Sequence, residues 1–218
     1  MMKLLLMELD NVLYNSKLLK AIAREWAVTA MREAGLPIEH EIAMETLMEV
    51  IRDKGEDYPF HFDEMMVRLG LKRDFRVIAA GVIAYHDVKR AFLRPQPGIM
   101  ELIMRARDMG LTIGVISRGE PVKEWEKILR LGIHHIAHKI WIGKDVSLRS
   151  ILSDGFKPEE IIFIVWSPEN FNEARELGIK HLVKVGDGKI EVLEGGILVK
   201  EGEPWRLKDV VESLLGRQ

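Results

Sequence analysis

Lys3-Leu4-Leu5-Leu6-Met7-Glu8-Leu9-Asp10-Asn11-Val12-Leu13-Tyr14 is the stretch from which the rest of the chain is read. A short apolar run stops at two carboxylates spaced i, i+2, and a turn-forming Asn follows. On a strand that continues just past its sheet, positions i and i+2 point to one side. Glu8 and Asp10 can therefore face one ligand. In an open α/β sheet, ligands sit outside the carboxyl ends of the strands. The run thus predicts a buried strand delivering two acids to such an end.

Outward from this strand the pattern turns helical. Leu18, Leu19, Ile22, Trp26, Val28, Met31 and Ala34 recur at helical spacing until Gly35-Leu36-Pro37 stops them. Further helices are expected over about 39–54, 63–69 and 75–90. Pro95-Gln96-Pro97-Gly98 then breaks the chain, because proline fixes φ and removes a donor. Beyond it, helix and strand alternate. Strands are expected over 111–116, 136–142, 161–166 and 181–185, and helices over 99–109, 121–131, 146–153 and 169–177. A β-hairpin is expected over 189–200, turning at Gly195-Gly196, and a last helix over 205–215. Gly186-Asp187-Gly188 reads as a plain turn, since no helical pattern follows it. Strands separated by single helices predict a parallel sheet with right-handed crossovers. The domains read as an α/β core over 1–15 and 95–218, with a helical cap inserted over 16–94.

Composition sets bounds. A length of 218 residues suits one core with an insertion, or two small domains, and 47% hydrophobic content is enough for a sizeable core. A net charge of -2 gives no reason to expect capture of nucleic acid or of an acidic membrane. With no Cys, thiol catalysis and disulfides are excluded. No apolar run approaches the ~18 residues of a membrane span, and the N-terminal run is too short for a signal peptide. A cytoplasmic protein is expected. The 30% charged content without Cys has a thermophile-like character.

The first stretch resembles the opening motif of the haloacid dehalogenase (HAD) superfamily, apolar-Asp-x-Asp-x-Thr/Val-Leu. Met31 to Pro37, Ile78 to His86 and above all Gly119 to Gly132 carry a further likeness to phosphatase-like members with a helical cap. The resemblance implies a parallel Rossmann-like sheet flanked by helices, with an inserted all-helical cap domain. It also implies four catalytic parts. A first Asp attacks phosphorus or carbon, and a second Asp serves as acid and base. A Ser/Thr and a Lys hold the oxyanion, and acids of a fourth motif complete a Mg²⁺ site in the phosphatases.

Several of these parts are altered here. Glu8 stands at the nucleophile position, one methylene longer, a reach of about 1.5 Å. Asp10 matches the acid/base, and Asn11 and Val12 occupy the two positions after it, where the family usually carries Gly/Asp and Thr/Val. Ser117 matches the oxyanion hydroxyl. Arg118 follows it, where a guanidinium could bind an anion bidentately or pair with Glu8, and Gly119 precedes a helix whose N-terminus favours anions. The expected Lys-Pro junction is missing: Lys157-Pro158 lies just before the next strand, so Lys144 is the candidate for the family lysine. In the fourth motif the Gly-Asp pair falls on Val165-Trp166 and the second Asp on Phe171. Trp166 would fill space meant for metal and water, and Glu169 is the acid nearest to hand. Ser167 and Asn170 are residue types that metal-free dehalogenases use at this place. His86 and Lys89, on the last cap helix, are candidate substrate readers. His134-His135-x-x-His138 enters a strand and is not read as a metal site.

The resulting expectation is a HAD-like hydrolase descended from phosphomonoester chemistry on a small phosphorylated or anionic metabolite. Its activity is expected to be weakened or lost through Glu8 and the acid-poor fourth motif. Catalytic candidates are Glu8, Asp10, Ser117 and Lys144; substrate-binding candidates are Asn11, Arg118, Gly119, His86 and Lys89. Mg²⁺ is implied by the resemblance and opposed by the substitutions. The alternative is a non-catalytic ligand- or protein-binding relative. A metal-independent 2-haloacid dehalogenase is less favoured, because those enzymes also need the Asp that Glu8 replaces. Neither substrate identity nor oligomeric state is legible.

Overall fold

The computed structural model describes residues 2–186, 189–195, 197–202 and 209. It divides into two compact units, one formed by 1–15 with 94–218 and the other by 16–93.

The first unit is built on a seven-stranded sheet in the order β3-β2-β1-β4-β5-β6-β7. The strands are β1 (Leu4–Glu8), β2 (Thr112–Ser117), β3 (Lys139–Ile142), β4 (Ile161–Val165), β5 (His181–Val185), β6 (Ile190–Glu194) and β7 (Ile197–Gly202). Strands β1 to β5 pair in parallel. Strands β6 and β7 add an antiparallel hairpin at one edge. β1 lies at the centre, with Leu5 beside Ile113 on one side and Ile162 on the other. All five of its residues are buried. A strand covered on both faces and both edges must be apolar at every position rather than alternating, and Leu4-Leu5-Leu6-Met7 meets that demand. The order reverses between β1 and β4, so the crevice at the carboxyl ends of these two strands is the place where such sheets bind ligands.

Helices α5 (Ile99–Asp108), α6 (Pro121–Leu131), α7 (Leu148–Ser153) and α8 (Pro168–Glu176) connect the strands. The third strand begins at Lys139 rather than at 136, because the N–H groups of Ile136 and Ala137 turn back to the Ile133 carbonyl instead of pairing in the sheet. His138, just before the strand, accepts the Ile113 N–H on its Nδ1 at 2.9 Å. The Asp187-Gly188 turn, Gly196 and, apart from Asp209, the expected terminal helix over 205–215 lie outside the described residues.

The second unit is helical: α1 (Ser16–Glu33), α2 (His40–Lys54), α3 (His61–Arg68) and α4 (Phe75–Phe92). Its core gathers Ala27, Val28, Met31, Leu47, Met65 and Val77. Asp74 caps α4 by accepting from the N–H groups of Arg76 and Val77. In sequence this unit enters directly after β1 and returns before α5. Among the described residues, no helix is long and apolar enough to cross a membrane.

Candidate active site

The site assembles at the carboxyl ends of β1, β2 and β4. Glu8 is the last residue of β1 and is buried, 5% exposed. Its side chain crosses the switch point to the loop after β4. Oε2 accepts from the N–H groups of Trp166 (2.6 Å) and Ser167 (2.9 Å). Oε1 accepts from the Ser167 hydroxyl and from Asn170 Nδ2. A carboxylate offers about four lone-pair positions, and four donors meet this one. The groups that the loop after β4 turns toward Glu8 are therefore all donors, and they make that loop a receptor for a carboxylate. Ser167 also caps α8 by accepting from the Asn170 N–H, and the helix dipole adds to the attraction.

Asp10 lies two residues on, in the loop, with its side chain 38% exposed. Asn11 next to it has φ 61°, a left-handed conformation that Asn tolerates better than most residues. Gln96, from the Pro-rich break, donates its side-chain amide to the carbonyls of Asn11 (3.0 Å) and Val12 (3.1 Å) and fixes this turn. Asp10 Oδ1 accepts from the Tyr14 hydroxyl at 2.6 Å and from Lys127 Nζ at 2.9 Å. Lys127 also donates to both oxygens of Glu124, at 2.8 and 3.0 Å. Glu124, itself buried, accepts from the Ser117 hydroxyl at 2.8 Å. Ser117, Glu124, Lys127, Asp10 and Tyr14 thus form one continuous polar chain from the end of β2 to the loop after β1. Burial alone would lower the Lys127 pKa, but the charges of Asp10, Tyr14 and Glu124 outweigh it and raise the ammonium well above its usual range.

Gly119 makes room for this chain. A Cβ there would stand 2.3 Å from Glu124 Oε1 and 2.6 Å from its Cγ. Arg118 pairs with Glu169 at 2.6 Å and with Glu173. Pairing with Glu8, one of the two alternatives its position allows, does not occur, because both carboxylate oxygens of Glu8 are turned to the 166–170 loop. Glu169 for its part faces Arg118 rather than the Glu8–Asp10 pair. The N-terminus of α6 does hold an anion, the cap Glu120. The N–H groups of Lys123 and Val122, with Lys123 and Lys144 nearby, keep its carboxyl below the ordinary range. Lys144 is exposed in the loop after β3. The ammonium at Asp10 is that of Lys127. His86 and Lys89 lie on α4 in the helical unit, stacked about Tyr85: the His86 ring meets it edge-on and Lys89 Nζ stands 5.2 Å from its centroid.

Sequence reasoning did not find Lys127, Glu124, Tyr14 or Gln96. One signal was available. Glu124 falls on the buried stripe of α6 with Ile128 and Leu131, and an acid on an apolar face calls for a partner.

The donor set does not fit Mg²⁺, which demands near-octahedral oxygen ligands. Glu8 is saturated by N–H and O–H donors, Asp10 carries an ammonium, and Glu169 and Glu173 are held by Arg118. Asn170 Oδ1 is a buried acceptor without a partner, but one neutral oxygen does not build an octahedron. Among the described residues no group of three His, Cys, Asp or Glu side chains could hold an ion.

No protein-family model matches the chain. It is 38% identical over 191 residues to the glyceraldehyde 3-phosphate phosphatase of Methanopyrus kandleri, covering 86% of this chain and 76% of that one. It is 37% identical over 204 residues to the protein of that name from Methanocaldococcus jannaschii, covering 89% of each. In structure it superposes on a haloacid dehalogenase-like family hydrolase from Xanthomonas campestris with a TM-score of 0.67, over 99% of this chain and 93% of that one, at 14% identity.

Proposed function

The chain belongs to the HAD superfamily of hydrolases, and from that premise we propose that it takes a small phosphorylated metabolite of the triose-phosphate class and hydrolyses it slowly. The name of the relatives, glyceraldehyde 3-phosphate phosphatase, supports the substrate class. The observation that supports slow turnover is the saturated Glu8 carboxylate. A nucleophile needs a lone pair aimed at phosphorus, and here each is directed at a donor of the 166–170 loop. Attack requires at least one oxygen to leave that loop, and a displacement of ~1 Å from productive geometry costs about 100-fold in rate.

In this reading Asp10 is the proton-transfer group, aligned by Tyr14 and Lys127. Ser117 holds a phosphoryl oxygen after turning its hydroxyl away from Glu124. Asn11, Arg118 and Gly119 border the phosphoryl group, and Lys144 approaches from its exposed loop. His86 and Lys89 are proposed to select the rest of the metabolite. No step passes through a metal ion, since the donors present do not fit one.

The test is release of phosphate from glyceraldehyde 3-phosphate and from an aryl phosphate, by the native protein and by Glu8→Asp, with and without Mg²⁺. Glu8→Asp shortens the side chain by about 1.5 Å and withdraws it from the 166–170 donors. It is expected to turn over about 10- to 100-fold faster than the native chain. Fast native turnover that Glu8→Asp reduces would sink the reading.

A second reading, a non-catalytic binding relative, is favoured by the internal pairing of the anion-holding groups: Arg118 with Glu169 and Glu173, and the α6 terminus with Glu120. Calorimetric binding of glyceraldehyde 3-phosphate without turnover in either form would select it. Release of halide from a 2-haloacid would instead point to the dehalogenase alternative.

A further inference from the structure

We propose that Lys127 is the resident cation of this site, a built-in ammonium that takes over the neutralising and positioning work a divalent ion would do. The geometry carries this. An ammonium has three donors, and Lys127 Nζ meets three acceptors: Asp10 Oδ1 at 2.9 Å and the two Glu124 oxygens at 2.8 and 3.0 Å. Its side chain is 21% exposed and that of Glu124 is 7% exposed, so the charges face each other with little water between them. A second cation bound to Asp10 would lie within a few ångströms of Nζ, where like charges repel strongly in a partly desolvated setting.

Lys127 is a positioning residue on this account. Through Asp10 it holds the loop after β1 and its Tyr14 partner. Through Glu124 it orients the Ser117 hydroxyl at the end of β2. The arrangement is independent of whether the protein turns substrate over, because it concerns the resting charge balance of the site.

Thermal unfolding in EDTA and in millimolar MgCl₂ tests it on the native protein, Lys127→Met, and the exposed control Lys123→Met. The native and control midpoints are expected to shift by less than ~1 °C with Mg²⁺. Lys127→Met leaves Asp10 and Glu124 without their cation. It is expected to lower the midpoint by roughly 3–8 °C and to recover part of that loss when Mg²⁺ is added. A native midpoint that climbs saturably with Mg²⁺ would overturn the proposal, as would a Lys127→Met protein no more responsive to Mg²⁺ than the native one. If Lys127→Met does not fold, titration calorimetry of the native protein with Mg²⁺ and Mn²⁺ decides. Stoichiometric binding overturns the proposal, and no heat of binding supports it.

Discussion

Glu8 and Asn170 are 162 residues apart in sequence, and Asn170 Nδ2 donates directly to Glu8 Oε1 in a buried contact. The bond joins the end of β1 to the first turn of α8 across the point where strand order reverses. It helps to make the carboxylate a structural cross-link as well as a candidate nucleophile.

Asn170→Ala should therefore cost stability as well as change the site. It removes one charge-assisted bond from a residue only 5% exposed, a loss of about 1.5–3 kcal/mol. Asn170→Asp should cost more at neutral pH, because it sets a second carboxylate against Glu8 where a donor stood. Part of that excess should return on acidification, as one of the two acids takes a proton. Denaturant unfolding of the three proteins at neutral and mildly acidic pH checks this ordering. Equal losses for Ala and Asp, unchanged by pH, would mean that Glu8 does not occupy the cradle.

Gly119→Ala probes the other end of the site. The new Cβ would lie 2.3 Å from Glu124 Oε1. Glu124 cannot swing aside freely, since Ser117 and Lys127 hold both its oxygens. A cost of about 1–3 kcal/mol is expected from this overpacking. In a Glu124→Ala background the obstacle is gone, and Gly119→Ala should be nearly silent. A double-mutant cycle on unfolding free energies measures the coupling. Additive effects would show that the close approach does not constrain the protein.

The core was legible in sequence because each of its signals is local. Leu4 to Met7 is apolar at every position, as a central parallel strand must be, and Gly132 and Gly178 mark the ends of helices. The carboxyl-end placement of Glu8 and Asp10 follows from where the apolar run stops in an α/β pattern. The partners did not follow, because they are set by topology. Nothing near Glu8 announces that Ser167 and Asn170 will face it, until β1 and β4 are known to be neighbours. Lys127 is inconspicuous in sequence for a related reason. The resemblance puts the family lysine at a loop–helix junction, which points to Lys144, while the ammonium at Asp10 reaches it from the second turn of α6. At the far edge, the 189–200 hairpin was recognisable from its glycine-centred alternation, but its pairing with β5 depends on the sheet having an open edge there.

The same lysine gives the molecule a specific alkaline weakness. Burial disfavours the Lys127 ammonium, yet Asp10, Tyr14 and Glu124 more than compensate, so its pKa in the folded protein lies above that of an unfolded chain. An unfolded lysine titrates near ~10.4. Below that pH both states carry the proton, and the stabilisation by Lys127 is fully present. Above it the unfolded chain loses the proton first, while the folded protein retains it. Stability then falls with rising pH, by at most ~1.4 kcal/mol per pH unit for this one group, until the folded protein also releases the proton. Other lysines and tyrosines titrate in the same range, so the measurement is the difference between native and Lys127→Met. That difference should be constant from neutral pH to about pH 10 and should shrink above it. A difference that stays level through strongly alkaline pH would show that the Lys127 charge contributes nothing to the fold, and that its three contacts act by packing alone.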